Sequence, residues 1–465
     1  MGEKFAPCIL NCPAYVDIRG YIDLIKQKDF SSALKLIMKN LPLPGTVARI
    51  CPHPCEMNCT RRFKDGAVNI SQLRIFLSSI EKNFIPQIKN DSGKKIGIIG
   101  GGPAGICSAY FLRQMGHQIF IYDAMPKMGG MLRYGIPEYR LPKKILDKEI
   151  DFLSQMQINL INNFKIDREK FLQIQHDFDA VIIAVGAWHS MKINCDGNQF
   201  FIDGIKFLQN IALNKENIVC GKKIAVVGGG NTAMDVCRSA IRLKAASVTN
   251  IYRRTKNEMP AQTCEIIEAQ EEGVIFKELL SPVKIIGNGK NKTLIMQKYE
   301  LGEKDSDGRF SFVSKNEFEQ EDFDLIISAV SQKTEADFFS GKLNSDSTIK
   351  INNCFQTDNE KVFAIGDAIH TGKDRIAVVA ISDAKKVSLA VNNFLMGLSV
   401  ENLYAEPKKI ICPSAKQKFE STRLEMKKVS VSERKNNFKE IILPWSEKEF
   451  LKEAMRCLNC GKHKK

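Results

Sequence analysis

The sequence predicts an α/β protein with two parallel-sheet domains, the second inserted in the first, preceded by an α-helical N-terminal region. Three observations predict this architecture. Residues 94–123 and 222–254 each show the order strand, glycine-rich turn, helix, strand. Residues 1–90 combine apolar side chains at helical spacing with several cysteines. The runs 179–187 and 324–332 each place a buried-strand pattern after an acidic residue, as expected of strands on which the chain crosses between the two domains.

Composition excludes several classes of protein. The 465 residues, 44% hydrophobic and 26% charged, suit a globular chain of two or three domains. The sequence contains neither an apolar run of about 18 residues nor the apolar core of a secretory signal, so we expect no membrane span and no export. The net charge of +15 is spread along the chain, which favours docking of an acidic partner over nucleic-acid binding. Fourteen cysteines without an export signal indicate reduced thiols in the cytoplasm.

The first glycine loop predicts a bound dinucleotide. Glycines at the end of a strand allow a tight turn and let the backbone approach a pyrophosphate, and the following helix offers free N–H groups. Asp123 ends the next strand, where a carboxylate can accept hydrogen bonds from ribose hydroxyls. The residues that we expect at this cofactor are Gly100, Gly102, Pro103, Ala104, Gly105 and Asp123.

The second glycine loop predicts a nicotinamide cofactor. Here the strand that follows ends in Tyr252-Arg253-Arg254 and carries no acid. A guanidinium can pair with a 2′-phosphate that a carboxylate would repel, so the pattern favours NADPH over NADH. The residues that we expect at this cofactor are Gly228, Gly230, Asn231, Thr232, Ala233, Arg253 and Arg254.

Two dinucleotides in one chain indicate a flavin in the first domain and a nicotinamide in the second. The pair Gly366-Asp367 follows another predicted strand, and Asp367 could bond the ribityl chain of FAD. A helix beginning near Ile376 would direct its positive N-terminal end towards the reduced flavin. The fold class is therefore two Rossmann-like (glutathione-reductase-type) dinucleotide-binding domains, the second inserted in the first.

Seven cysteines lie in clusters at the two ends of the chain. They are Cys8, Cys12, Cys51, Cys55, Cys59, Cys457 and Cys460. A zinc site takes four ligands, whereas seven thiolates beside a flavin suit two iron–sulfur clusters, one of them short of a cysteine. The C-terminal CxxC joined to the N-terminal CxxxCP resembles a bacterial ferredoxin run, so the two chain ends are expected to meet. The N-terminal region is thus an α-helical iron–sulfur domain.

The chain resembles the small (beta) subunit family of NADPH-dependent glutamate synthase. Similar proteins include the N-terminal half of dihydropyrimidine dehydrogenase and the large subunit of ferredoxin:NADP oxidoreductase. The stretches that carry the resemblance are APCILNCPAYVDI, ICPHPCEMNC, GGGPAG, GGMLRYGIPEYRLPK, VVGGGNTAMD, YRRTKNEMPA and AIGDA.

The resemblance implies a ligand set for each cluster. One 4Fe–4S cluster would take Cys8, Cys59, Cys457 and Cys460, and the other would take Cys12, Cys51 and Cys55. The family's fourth ligand to the second cluster is a Gln or Glu, but this chain has Arg74 there, with Gln72 nearby. Protonated arginine has no lone pair for iron. The second cluster is therefore absent, three-iron, or completed by another group.

The resemblance also implies a flavin-lining segment. Gly130 and Leu132 would line the isoalloxazine ring, and Arg140 would hold the phosphate or the ring of FAD. The predicted domains are 1–90 with 446–465 for iron–sulfur, 91–200 with 335–400 for FAD, 201–334 for NAD(P)H, and 401–465 as a surface connector and tail.

The predicted activity is electron transfer from NADPH through FAD to one or two 4Fe–4S clusters, without a catalytic side chain. The resemblance implies a partner such as the large subunit of glutamate synthase. The alternatives are the electron-transfer subunit of a hydrogenase, a formate dehydrogenase or a ferredoxin-linked complex, or a non-catalytic electron-wiring scaffold.

Overall fold

The computed structural model describes residues 5–80, 84–287, 291–304, 310–399 and 422–461. The predicted connector residues 400–421 lie outside the described part of the chain. The helices are α1 Pro7–Leu10, α2 Ile18–Lys26, α3 Phe30–Met38, α4 Pro44–Ile50, α5 Pro54–Met57, α6 Ile70–Ile80, α7 Pro103–Gln114, α8 Met131–Tyr134, α9 Lys143–Ile150, α10 Phe152–Gln155, α11 Arg168–Asp177, α12 Gly204–Ala212, α13 Asn231–Arg242, α14 Thr263–Glu271, α15 Ala377–Leu395, α16 Val431–Arg434 and α17 Glu447–Met455. The strands are β1 Lys95–Ile99, β2 Gln118–Tyr122, β3 Asn159–Ile161, β4 Ala180–Ile183, β5 His189–Ser190, β6 Phe201–Asp203, β7 Lys223–Val227, β8 Ser247–Tyr252, β9 Ile275–Glu278, β10 Leu280–Gly287, β11 Lys292–Lys304, β12 Phe310–Phe323, β13 Leu325–Ser328, β14 Gln332–Lys333 and β15 Val362–Ala364.

Two five-stranded parallel sheets form the α/β part of the molecule. The first has the order β15-β4-β1-β2-β3 and the second has the order β6-β13-β7-β8-β9. Since β4 and β15 pair in parallel, the first sheet takes strands from before and after the whole second sheet. The second unit is thus inserted in the first, and the short antiparallel pair β5 and β14 joins the two crossing segments.

The strands are buried because their sequences are apolar runs. All four residues of β4 are buried, as are four of the five residues in β1 and in β7. Such continuous burial is expected where helices cover both faces of a parallel sheet. A third, antiparallel sheet of β10, β11 and β12 extends from the second unit.

One continuous hydrophobic core joins the N-terminal helices, the first sheet and the C-terminal segment. Phe450 of α17 stacks on Phe76 of α6, with ring centroids 4.2 Å apart, and meets Phe30 edge-on. Trp445 and Ile441 are both 4% exposed. These two side chains are buried, whereas most residues of 422–445 are exposed or half-buried, so the described part of the predicted connector lies on the surface and is anchored at a few positions.

Among the residues that the structure describes, no helix combines the length and apolarity that a bilayer crossing needs.

Candidate cofactor sites

The first glycine loop has the geometry that a pyrophosphate requires. Gly100 has φ +110°, and a Cβ there would lie 2.3 Å from the carbonyl oxygen of Ala184. A Cβ on Gly105 would lie 1.9 Å from the oxygen of Gly100, so α7 packs directly on the loop. At Gly102 the nearest neighbour of a Cβ would be Gly130 Cα at 3.9 Å. The loop is therefore crowded on its protein side and open at Gly102, where α7 begins with Pro103 at its first turn.

Asp123 is held by the same loop. Its two carboxylate oxygens accept hydrogen bonds from the backbone N–H of Gly101 at 2.6 Å and of Met125 at 2.7 Å. Burial raises the pKa of the Asp123 carboxyl above its ordinary value, and these two hydrogen bonds only partly offset the rise. A carboxylate offers about four lone-pair positions, so acceptor capacity is left for ribose hydroxyls.

The predicted flavin-lining segment packs against the first loop. Gly130 has φ +51°, and a Cβ there would lie 2.7 Å from Gly102 Cα. Leu132 is 2% exposed. Lys143 fastens the segment, because its ammonium donates to the carbonyl oxygens of Leu132, Ile136 and Leu141 at 3.1, 2.6 and 3.0 Å.

Asp367 lies just after the end of β15, the edge strand of the first sheet. Gly366 has φ +67°, which turns the chain sharply there. Burial raises the pKa of the Asp367 carboxyl, and the charge of Arg375 opposes that rise. Helix α15 follows, with Ile376 as its extended N-terminal cap and no capping side chain among the described residues. The helix therefore presents free N–H groups at its N-terminus.

The second glycine loop has the same geometry as the first, except that an alanine replaces the third glycine. Gly228 has φ +144°, and a Cβ there would lie 2.2 Å from the oxygen of Ala329. Gly230 caps α13, and a Cβ there would meet no heavy atom within 4 Å. Ala233 replaces the third glycine and is fully buried. Asn231 accepts from Gln262 N at 2.9 Å, and Gln332 donates to Thr232 at 3.3 Å.

Both arginines after β8 stack on one aromatic ring. The guanidinium carbons of Arg253 and Arg254 lie 4.7 and 5.1 Å from the ring centroid of Phe312 on β12. Arg254 also donates to the carbonyl oxygen of Phe310 at 2.7 Å. Arg253 is exposed. The antiparallel sheet thus holds these cations beside the second loop, a contact that could not be read from the sequence.

Cys8, Cys59, Cys457 and Cys460 line one cavity, together with Thr60 and Arg61. The two ends of the chain therefore meet. The pKa of the Cys8 thiol is raised by burial and further by the neighbouring Cys457 and Cys59. Thiols in such a group become thiolates when a metal centre supplies positive charge. No three His, Cys, Asp or Glu side chains of the described ranges converge on a single-ion position. A four-iron cube binds each thiolate on a different iron, and four cysteines around one cavity fit that requirement.

Three cations hold the C-terminal CxxC against the N-terminal helices. Lys26 of α2 donates to the oxygen of Cys457 at 3.0 Å, and Arg19 donates to the oxygen of Cys460 at 3.2 Å. Arg61 donates to the oxygen of Arg456 at 2.6 Å. These bonds satisfy carbonyl groups at the end of α17 and fix the tail in place.

The side chain of Arg456 completes this anchor. It is 1% exposed and donates to the carbonyl oxygens of Asp65, Gly66 and Ala67 at 3.0, 2.6 and 3.2 Å. It also pairs with Glu453 at 2.6 Å. Glu453 in turn accepts from the backbone N–H of Asn69 at 2.8 Å and of Leu424 at 3.1 Å.

Cys12, Cys51 and Cys55 are all buried in the core beside the first group. Burial raises the pKa of Cys51 and of Cys55, and the charge of Arg74 opposes the rise in both. Arg74 is thus a charge neighbour of these thiols, and Gln72, two residues away on the same helix, is also buried. The donor set is three sulfur atoms and one cation, which suits an anionic iron–sulfur group better than a bare divalent ion.

Arg140 is placed differently from the expectation that it holds FAD. Its guanidinium forms ion pairs with Asp235 of α13 at 2.7 Å and with Glu265 of α14 at 2.9 Å. All three side chains are nearly buried. The contacts therefore join the first α/β unit to the second, and the FAD role stays a prediction that these contacts do not support.

The rest of this ion-pair network, which surrounds Glu272, could not be predicted from the sequence. Arg238 and Arg242 of α13 and Arg434 of the C-terminal segment all bind the carboxylate of Glu272. Burial would raise the pKa of Glu272, but the bonds from Arg242 and Arg238 outweigh it and lower the pKa to about 2. The residues are spread from position 140 to 434, so no local pattern reveals them.

The fold and these sites define a two-domain pyridine-nucleotide oxidoreductase with an iron–sulfur domain. Residues 94–392 match the model of the pyridine nucleotide-disulphide oxidoreductases. Residues 3–84 match the model of dihydropyrimidine dehydrogenase domain II, 4Fe-4S cluster. The chain belongs to the pyridine nucleotide-disulphide oxidoreductase family, among relatives that include the small chain of glutamate synthase.

Three relatives illustrate the similarity. NADPH-Fe(3+) oxidoreductase subunit beta of Geobacter sulfurreducens is 38% identical over 74% of this chain and 53% of its own length. NADP(+)-dependent formate dehydrogenase subunit beta of Moorella thermoacetica is 34% identical over 84% of this chain and 60% of its own. Glutamate synthase [NADPH] small chain of Escherichia coli is 31% identical over 83% of this chain and 88% of its own. The chain spans little more than half the length of the first two.

Solved structures show the same fold. Mycobacterium tuberculosis FprA in complex with NADPH has a TM-score of 0.56 at 18% identity, covering 65% of this chain and 85% of that one. Lactococcus lactis thioredoxin reductase has a TM-score of 0.51 at 19% identity, covering 66% of this chain and all of that one. The predicted family, fold class, oxidoreductase class and cofactor types (FAD, a pyridine nucleotide and 4Fe–4S) are thereby confirmed. The roles of individual residues stay predictions.

Proposed function

We propose that this chain is the NADPH-oxidising subunit of a redox complex and passes electrons through FAD to iron–sulfur clusters and on to a partner. The observation that carries the proposal is the combination, in one chain, of two open glycine loops and a cavity that four cysteines from both chain ends line. When bound, FAD supplies the conversion of a hydride into single electrons, and the clusters supply one-electron conduction.

The residues of the chain bind and orient these groups. Gly102 and the start of α7 would receive the FAD pyrophosphate, and Asp123 would accept from its ribose. Gly230 and the start of α13 would receive the nicotinamide cofactor, with Arg253 near its 2′-phosphate. Cys8, Cys59, Cys457 and Cys460 would each supply one thiolate to a 4Fe–4S cluster.

The partner is a second redox subunit, as the printed names of the relatives suggest. A beta subunit named for Fe(3+) is 38% identical to this chain and one named for formate is 34% identical, whereas the glutamate synthase small chain is 31% identical. We therefore propose as the electron acceptor a glutamate synthase large subunit, a hydrogenase-like or formate-linked subunit, or a ferredoxin.

Anaerobic purification followed by assays of flavin, iron and sulfide tests the proposal. We expect bound FAD, at least one four-iron cluster per chain, and reduction of an artificial acceptor by NADPH faster than by NADH. A non-catalytic scaffold would have no such diaphorase activity, and its absence in a flavin-loaded preparation would refute the proposal.

A further inference from the structure

Arg74 is a buried cation whose counter-ion is not accounted for by the protein. It lies in the middle of α6, in a run where every residue from Ile70 to Ser78 is buried, and it is itself 4% exposed. Within the described residues, neither its Nε nor its Nη2 has a hydrogen-bond partner. A buried guanidinium without an anionic partner destabilises a fold, so the surroundings of Arg74 suit an anion.

The carboxylate closest to the site is already engaged. Glu56 follows Cys55 in the chain and accepts from the backbone N–H of Ser71 at 2.8 Å and from Arg423 at 2.7 Å. Arg74 has its strongest electrostatic interactions with Tyr21, Cys55, Cys51 and Cys12. Tyr21 is fully buried and its hydroxyl also has no partner in the described part of the chain. Two buried side chains with unpartnered donors are thus neighbours of the three cysteines.

Resting on the proposed function, we propose that Cys12, Cys51 and Cys55 bind an iron–sulfur cluster for which Arg74 is the buried counter-ion, which gives this cluster the higher reduction potential of the two. Arg74 would donate from Nε and Nη2 to the sulfur atoms, and it would stabilise the extra negative charge that one-electron reduction places there. Net charge and hydrogen bonds to sulfur are the levers that set such potentials.

The two cysteine groups differ in the charge of their ligands and of the side chains beside them. The group of Cys8, Cys59, Cys457 and Cys460 supplies four thiolates, and the cations beside it, Arg19 and Lys26, donate to backbone carbonyl oxygens. The group of Cys12, Cys51 and Cys55 supplies one negative charge fewer and has a guanidinium directed at it. Both differences favour the reduced state at the second group.

The test compares Arg74→Met, which removes the charge, with Arg74→Lys, which keeps it. Arg62→Met, an exposed arginine of the same domain that donates to Met57 O at 2.8 Å, is the matched control. The anaerobic holoprotein of each is titrated with dithionite, and the reduction of each cluster is followed by electron paramagnetic resonance. Iron and sulfide per chain are measured in parallel.

For Arg74→Met we expect the ratio of reduced to oxidised higher-potential cluster at the wild-type midpoint to fall at least tenfold, equivalent to about 59 mV for one electron. We expect a smaller shift for Arg74→Lys, and no shift for Arg62→Met or at the other cluster. Loss of one cluster's iron in Arg74→Met, with retention in Arg74→Lys, also supports the counter-ion role. Unchanged potentials in Arg74→Met overturn it, as does a Cys457→Ser/Cys460→Ser variant that retains no iron.

These readouts separate the inference from the function on which it rests. Flavin content and NADPH diaphorase activity are measured in the same preparations. If both are absent while the two clusters titrate as expected, the proposed function fails and the role of Arg74 stands. If both are present and the potentials do not respond to Arg74, the inference alone fails.

Discussion

The anchor of the C-terminal tail gives the sharpest prediction. Arg456→Met removes a buried guanidinium that bonds three consecutive carbonyl oxygens and Glu453. Glu453 would then keep its two backbone donors but lose the guanidinium with which it pairs. Breaking a buried pair in this way destabilises by about 3–5 kcal/mol.

That magnitude is enough to undock the tail. About 1.4 kcal/mol is a factor of ten, so 3 kcal/mol shifts the balance between docked and free tail by roughly a hundredfold. With the tail free, Cys457 and Cys460 no longer meet Cys8 and Cys59. We expect Arg456→Met to lose one cluster's iron during purification and to become sensitive to limited proteolysis near residue 456.

Lys452→Met is the control, because Lys452 is exposed on the same helix, α17. It should keep the wild-type iron content and protease resistance. Full iron and full resistance in Arg456→Met would refute the reasoning, as would an equal loss in the Lys452 control.

Three further predictions concern the dinucleotide sites and the ion-pair network. Gly230→Ala should leave the midpoint of urea unfolding unchanged, since a Cβ there meets no atom, yet raise the KM for NADPH about tenfold or more by blocking the pyrophosphate; an unchanged KM would contradict the assignment. Arg253→Ala should raise the KM for NADPH more than that for NADH, and equal effects in steady-state assays would argue against recognition of the 2′-phosphate. Glu272 has a folded-state pKa of about 2 against an ordinary value of 4.5, so it contributes about 3 kcal/mol above pH 4.5 that is lost as the pH falls towards 2. Urea unfolding from pH 6 to pH 3 should show this loss in the wild type and a shallower slope in Glu272→Gln; parallel slopes would rule out the contribution.

Much of the fold could be predicted because its signals are local. The turn at Gly100 needs a positive φ, and the close approach of α7 needs Gly105, so both requirements appear as residue types at fixed spacing. The meeting of the chain ends could be predicted from the cysteines, since the two at the C-terminus cannot complete a site alone and, joined to the N-terminal CxxxCP, resemble a ferredoxin run.

What could not be predicted depends on contacts between distant segments. The resemblance assigns Arg140 to FAD, a role that stays a prediction. Its ion pair with Asp235, which lies on a helix of the inserted unit, could not be predicted from the sequence. The stacking of Arg253 on Phe312 depends on the long strand β12, which could not be predicted from the mixed polar sequence of that segment. The orphaned guanidinium of Arg74 is visible only once burial is known.

The central claim is that one iron–sulfur cluster is completed by the C-terminal CxxC. Iron per chain in anaerobically purified Cys457→Ser/Cys460→Ser protein tests it most directly, with Cys220→Ser, an exposed thiol, as control. The account predicts that the double variant loses about four irons per chain and keeps its FAD, while the control keeps both. Wild-type iron in the double variant would contradict it.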